Sequence, residues 1–298
     1  MTDPGTLMRR AALASLSVTI FLIALKLAAY LATDSVAMLA SLADSGLDFF
    51  SSAINLIAVK SSLTPPDREH RFGHGKAEPL AGLAQGAFIA GSATFLIIEA
   101  ISRLIEPEAI ANETLGLIVM AISIVATLGL VTYQRMVVAR TKSLAISADR
   151  AHYATDLATN IGVVISLVLT QQLGWKLADP IVGILIALFL AWSAWSVFRQ
   201  SYDQLMDREL PDEDRAKIKS LVMRHAEVRN LHDLRTRASG LNTFIQFHIE
   251  LDADISLTRA HEISDAVEAD VMAAFPKAEI LIHQDPAGIE MPPPLAKV

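Results

Sequence analysis

Six apolar runs, each long enough to cross a lipid bilayer, decide what this chain can become. They cover residues 11–32, 36–59, 79–104, 115–138, 144–171 and 180–198, and a spanning helix needs roughly 20 predominantly apolar residues. Within lipid, every backbone N–H and C=O must be satisfied internally, so runs of this length form helices. The remaining chain is different. Only 19% of the 298 residues are charged while 52% are hydrophobic, a balance that a soluble protein of this size rarely has. The charges gather after Asp203, where their density becomes that of a soluble domain. The expectation is a six-helix transmembrane domain over 1–204 and a cytosolic domain over 205–298. Arg9 and Arg10 before the first run have the look of a secretory leader, but the run is too long for one and lacks a small-residue cleavage site.

Basic residues set the orientation. Arg9 and Arg10, the 60–76 segment with Lys60, Arg68, Arg71 and Lys76, then Arg135, Arg140 and Lys142, and finally Arg199 and Arg208 all fall on one side. The other side carries 33–35, the acidic 106–113 segment and a short turn with Lys176. Both termini are therefore expected in the cytosol. Lys26, near the outer end of the first helix, can snorkel to the interface. On the third helix Gly82, Gly86 and Ala90 recur every fourth residue, the small-residue spacing that lets helices approach closely.

Past residue 207 the pattern changes period. An amphipathic helix is expected over 211–226, strands over 228–236 and 241–252 around a Ser239-Gly240 turn, a second helix over 256–275 and a last strand over 279–283. This αββαβ order describes a small α+β domain.

Two of the membrane helices carry groups that lipid does not tolerate cheaply. Asp44 and Asp48 lie in the second, His152 and Asp156 in the fifth, and a charge at that depth costs at least about 2.5–3.5 kcal/mol. Each pair is spaced i, i+4, which places both side chains on one helix face. Two such faces turned together offer three oxygens and one nitrogen, a donor set that suits tetrahedral Zn²⁺. Ser41 and Asn160 extend the polar stripes by a turn. There is no cysteine, so a metal must be held by imidazole and carboxylate, which suits Zn²⁺, Fe²⁺ or Mn²⁺.

Two further groups have ligand character. Asp67, His70 and His74 lie on the loop after the second helix, among glycines that let the backbone wrap an ion. His232, His248, His261, His283 and Asp285 lie in the soluble domain. Along the second strand Ile245, Phe247, Ile249 and Leu251 share the face that suits a core, and His248 shares the other with Gln246 and Glu250. His283 and Asp285 share one face of the last strand, and His261 flanks the Ile263/Val267/Val271 stripe. These are polar-face positions able to converge. A net charge of −7 with no basic stripe argues against nucleic acid as a partner.

The paired ligands, Phe-Gly-His-Gly-Lys-Ala-Glu (72–78), Leu-Met-Asp-Arg-Glu-Leu-Pro-Asp-Glu (205–213), His-Asp-Leu-Arg-Thr-Arg (232–237) and Ile-His-Gln-Asp-Pro (282–286) resemble the cation diffusion facilitator family. Its bacterial zinc and ferrous-iron efflux pumps are the nearest in pattern. The resemblance runs from about Leu13 to Pro286. It implies a homodimer of six-helix protomers in the bacterial inner membrane, with a metallochaperone-like cytosolic domain and metal export by alternating access against protons. It also implies a transport site of Asp44, Asp48, His152 and Asp156, and a loop site of Asp67, His70 and His74. A binuclear site of His232, His248, His261, His283 and Asp285 would lie at the cytosolic dimer interface, with a Lys76–Asp207 salt bridge at the hinge. The Asp-Asp/His-Asp quartet is similar to that of members handling zinc, cadmium and iron more broadly than the stricter zinc carriers.

Two rival readings compete. A membrane-anchored cytosolic metal sensor would need only passive helices, which the charged pairs at 44/48 and 152/156 contradict. An intramembrane metalloenzyme would need a motif such as H-E-x-x-H. The only His-Glu start, at His261-Glu262, lacks the second histidine and lies outside the membrane. No enzymatic activity is expected.

Overall fold

The computed structural model describes residues 3–33, 36–105, 114–173 and 177–288. Six long helices come first: α1 Pro4–Thr33, α2 Val36–Ser62, α3 Ala77–Ile105, α4 Thr114–Thr141, α5 Leu144–Leu173 and α6 Ala178–Leu205. They are followed by α7 Asp212–Val222, β1 Asn230–Ser239, β2 Asn242–Leu251, α8 Leu257–Ala274 and β3 Ala278–Pro286. The chain divides into two units, Met1–Tyr202 and Asp203–Val298.

The first unit is a helical transmembrane domain with inverted polarity. Large apolar side chains such as Phe50, Ile57, Phe95, Val125, Leu185, Trp192 and Trp195 face outward, where lipid tails meet them at no cost. Ser15, Ser52, Asn55, Gln85, Gln134, Asp149 and His152 are buried instead. Among the described residues five helices are long and apolar enough to span a bilayer. The one that falls short is α5, because it carries Asp149, Arg150, His152 and Asp156. The small-residue stripe of α3 is a packing face. A Cβ on Gly82 would collide with Ser201 Oγ, and one on Gly86 would lie 3.6 Å from the carbonyl oxygen of Ala194, both on α6. Around that contact Ile89, Ala93, Ala148, Leu190, Ala194 and Val197 join α3, α5 and α6 in one apolar cluster.

The second unit has the expected αββαβ order. Its three strands lie in the order β1-β2-β3. β1 runs antiparallel to β2, and β3, returning through α8, runs parallel to it. One sheet face packs on α7 and α8 through Ile218, Val222, Ile245, Phe247, Ile249, Ile263, Val267 and Val271. Each such fully buried side chain contributes roughly 1.5–3 kcal/mol relative to exposure. Ser256 caps α8, its side chain accepting from the Arg259 backbone N–H. The β1–β2 register shifts between His232 and Arg235. Asp233 occupies that irregularity with φ 49°, a left-handed conformation that Asp tolerates better than most residues.

Candidate metal centres

The i, i+4 spacing of α5 and the facing turn of α2 bring Asp48, His152 and Asp156 together. His152 Nε2 lies 3.1 Å from Asp48 Oδ1 and 3.8 Å from Asp156 Oδ2, and one ligand atom from each residue lies within 4.8 Å of the others. Donors around a tetrahedral Zn²⁺ with bonds near 2.0–2.1 Å sit about 3.4 Å apart, so the spacing fits such an ion. Asp156 Oδ2 and His152 Nδ1 are buried without hydrogen-bond partners, and unsatisfied groups of that kind are rare without a purpose. Asp44, one turn from Asp48, is exposed and stands outside this trio. Its charged neighbours include Asp48, Lys26, His152 and Asp156. Lys26 does not reach for the interface: its Nζ donates to Ser45 Oγ at 2.7 Å and to the Ser41 carbonyl at 3.1 Å.

The loop after α2 gathers Asp67, His70 and His74. Asp67 Oδ1 is 3.5 Å from His70 Nδ1, and Oδ2 is 3.5 Å from His74 Nε2. The two imidazole rings lie 4.5 Å apart. Asp67 Oδ1 also accepts the backbone N–H groups of His70 and Glu69 at 2.7 and 2.9 Å, so the carboxylate builds the turn that presents it. The His70 backbone hydrogen bond, with that of Glu69 and the two imidazoles adding to it, holds its carboxyl below the ordinary carboxylate value. Gly73, at φ 78°, lets the loop close between the two histidines.

In the second unit His232, His248 and His283 form a row across the three strands, paired His232 with His248 and His248 with His283. Two residues on, Asn230, Glu250 and Asp285 form the next row. Asp285 serves all three imidazoles. Its Oδ2 is 2.8 Å from His248 Nδ1 and 3.3 Å from His232 Nε2, and its Oδ1 is 3.3 Å from His283 Nε2. Neither nitrogen of His232 completes a hydrogen bond. Within the chain His261 does not join the row. It stands on α8, 71% exposed and 3.5 Å from Asp265, because α8 packs on the opposite, apolar face of the sheet. Within one chain Asp285 thus gathers His232, His248 and His283, while His261 stands apart.

Three carboxylates near these sites were not singled out by sequence. Glu250 is 3.4 Å from His232 Nδ1 and Asp233 is 3.9 Å from His248 Nε2. Glu250 was legible as a member of the His248 face. Asp233 was not, since strand alternation puts it on the wrong side and only the bulge turns it. Asp149, fully buried on α5, lies three residues before His152, outside the i, i+4 pattern of the paired ligands. Asp207 forms an ion pair with Arg237 at 3.2 Å.

Two family profiles cover the chain: the cation efflux transmembrane domain over residues 12–206 and the cation efflux cytoplasmic domain over 210–287. The chain belongs to the cation efflux family. Among curated relatives, a cation-efflux pump FieF of Shewanella oneidensis is 46% identical, over 93% of this chain and 93% of its own. A pump of the same name from Klebsiella pneumoniae is 42% identical over 96% and 95%. Protein p34 of Rickettsia rickettsii is 41% identical over 95% and 94%. Among solved structures, the metal-bound C-terminal domain of the CzcD transporter from Thermotoga maritima matches at 28% identity and TM-score 0.25, over 26% of this chain and 91% of that one. The cation efflux family is one of membrane transporters.

Proposed function

We propose that this chain exports a divalent transition metal, Zn²⁺ first and also Cd²⁺ and Fe²⁺, from the bacterial cytosol across the inner membrane in exchange for protons. The observation that carries the reading is the Asp48–His152–Asp156 trio, three ligands on two membrane helices at spacing suited to one small cation. Asp44 completes the quartet as its fourth ligand and third oxygen donor. Metal binds only to deprotonated carboxylate and neutral imidazole, so each ion taken up displaces protons from the same lone pairs. Exposing the quartet alternately to cytosol and periplasm turns that competition into antiport. The outward direction rests on the relatives, which are named efflux pumps. Mn²⁺ is a weaker candidate, since it prefers more oxygen donors than the quartet supplies.

Asp67, His70 and His74 form an accessory cytosolic site. His232, His248, His283 and Asp285 hold a resident Zn²⁺ in the C-terminal unit, with both termini cytosolic. His261 of one protomer would serve a partner copy, which makes the assembly a homodimer stapled by metal. The direct test is zinc flux in proteoliposomes of the purified protein under an imposed pH gradient. Gradient-dependent flux of zinc supports the reading. Metal binding without flux would instead leave a membrane-anchored sensor.

A further inference from the structure

Asp149 is the most enclosed carboxylate of the helical unit, with no exposed surface, and the transport quartet does not include it. Four neighbouring helices attend it with neutral groups. Ser15 of α1 donates its hydroxyl to Oδ2 at 2.5 Å, Gln134 of α4 donates Nε2 to the same oxygen at 2.7 Å, and Gln85 of α3 donates Nε2 to Oδ1 at 3.4 Å. Asn55 of α2 faces it as well, although neither of its amide atoms completes a hydrogen bond. Among the described residues no lysine or arginine pairs with Asp149, and the one imidazole that acts on it, His152, is engaged by Asp48 at 3.1 Å. The titratable groups that face it are His152 and Tyr153 of its own helix. From α1 to α4 it meets only hydroxyl and amide.

A shell of neutral dipoles solvates a carboxylate but does not cancel its charge, and an unpaired charge in a dry interior is expensive. Such a group gains by taking a proton, provided that its neighbours can serve both forms. These can. The Ser15 hydroxyl donates to the anion and can accept from the acid. Gln134 Oε1 is buried without a partner, so a flip of that amide presents an acceptor to a protonated Asp149. Gln85 stays a donor in either state, because its Oε1 is held by Ser51 Oγ at 2.6 Å.

We propose that Asp149 is a second proton-binding site of the transporter, separate from the metal quartet. A hydronium ion gives its proton to the carboxylate, leaving water and a neutral acid, and the same proton later leaves to water on the other side. The exchange rewrites hydrogen bonds to α1 and α4 at the point where five helices meet, and so links proton occupancy to the packing of the helices that carry Asp48 and His152.

The inference rests on the antiport reading, and the test separates the two. Zinc flux and zinc affinity are measured for the wild type, Asp149→Asn and Gln134→Leu in proteoliposomes with and without a pH gradient. One pH unit acting through one proton is worth a factor of about 10. We expect Asp149→Asn to bind zinc within a few-fold of the wild type yet to lose about that factor of acceleration per pH unit, and Gln134→Leu, which removes the amide that serves both forms of the carboxyl, to respond less steeply than the wild type. Equal responses in the wild type and Asp149→Asn would overturn the proposal, and so would parallel loss of zinc affinity and flux. Were Asp149→Asn to fail to fold, Asp149→Glu takes its place. A retained gradient response in a folded Asp149→Glu dimer supports the site, and a flat response with intact zinc binding refutes it. A wild type indifferent to the gradient would sink the antiport reading itself.

Discussion

His152 Nε2 lies 3.1 Å from Asp48 Oδ1 across 104 positions of sequence, and this contact, beside Ser52 Oγ to Tyr153 OH at 2.6 Å, joins α2 to α5 at the core of the membrane unit. One imidazole nitrogen facing carboxylates of two helices holds them in register as a metal ion would, with the ring in place of the cation. Removing a single partner therefore tests the site more sharply than removing bulk.

Asp48→Ala should abolish zinc flux, lowering it by more than the roughly 100-fold upper range for losing a group that merely orients a metal ligand. The fold should survive, because α2 also packs through Ser51, Ser52 and Asn55, all buried. Flux in proteoliposomes, with size-exclusion profiles as the control, measures both. Flux above half of the wild type with an unchanged profile would remove Asp48 from the transport site.

The cytosolic row gives a prediction that separates its members. Asp285 touches three imidazoles, whereas His261 stands apart on α8. Asp285→Ala should remove the cytosolic row's share of the rise in Tm that zinc confers on the protein, a share of about 2.7 kcal/mol when zinc is at 100 times the row's Kd. His261→Ala should keep a part of that rise but lower zinc-dependent dimerisation. Thermal melts and analytical ultracentrifugation, each with zinc and with chelator, distinguish the two variants. Identical behaviour of both would contradict a site built first within one chain and then shared.

Acidification should leave the Asp67 turn in place longer than an ordinary carboxylate would. Its folded value is depressed from 3.8 by the backbone N–H of His70 first. A depressed value means that the stabilisation is complete above the unfolded value and is lost only as pH falls through the lower folded one. The Asp67 carboxyl resonance should thus titrate below 3.8, and the amide protons of Glu69 and His70 should move with it. A midpoint at or above the ordinary value would show that the turn does not hold the charge.

Most of the architecture was legible because it depends on patterns that repeat. Six apolar runs gave six helices, and alternation along 245–251 gave the buried face of β2. Asp44, Asp48, His152 and Asp156 stood out because a charge in lipid is conspicuous, and three of them, Asp48, His152 and Asp156, lie together. What escaped depends on contacts between distant residues. Ser15, Gln85, Gln134 and Asp149 look unremarkable one at a time, and their convergence on a single carboxylate is a property of how four helices pack. His261 has the right chemistry for the histidine row, but its helix lies on the other side of the sheet. Asp233 reaches His248 only because the strand breaks its own alternation.

Selectivity is the property in which Asp44 matters most. The trio of Asp48, His152 and Asp156 is already gathered, while Asp44 stands a turn away and is exposed. In the proposed quartet it would be the ligand free to adjust to the ion that arrives. Asp44→His would replace one hard oxygen by a borderline nitrogen and leave two carboxylates beside two imidazoles. Zn²⁺ accepts that set in tetrahedral geometry, whereas Mn²⁺ relies on oxygen donors and a higher coordination number. The variant should keep zinc flux and lose ground on Cd²⁺, Fe²⁺ and Mn²⁺. Competition series in proteoliposomes, reading the initial rate of each ion against zinc, test this directly. Fe²⁺ must be kept anaerobic so that oxidation does not imitate a loss of transport. A shift confined to the oxygen-preferring ions would place the filter at residue 44. Unchanged ratios for all three would place it in the packing of α2 against α5, where the His152–Asp48 contact fixes the size of the site before Asp44 is engaged.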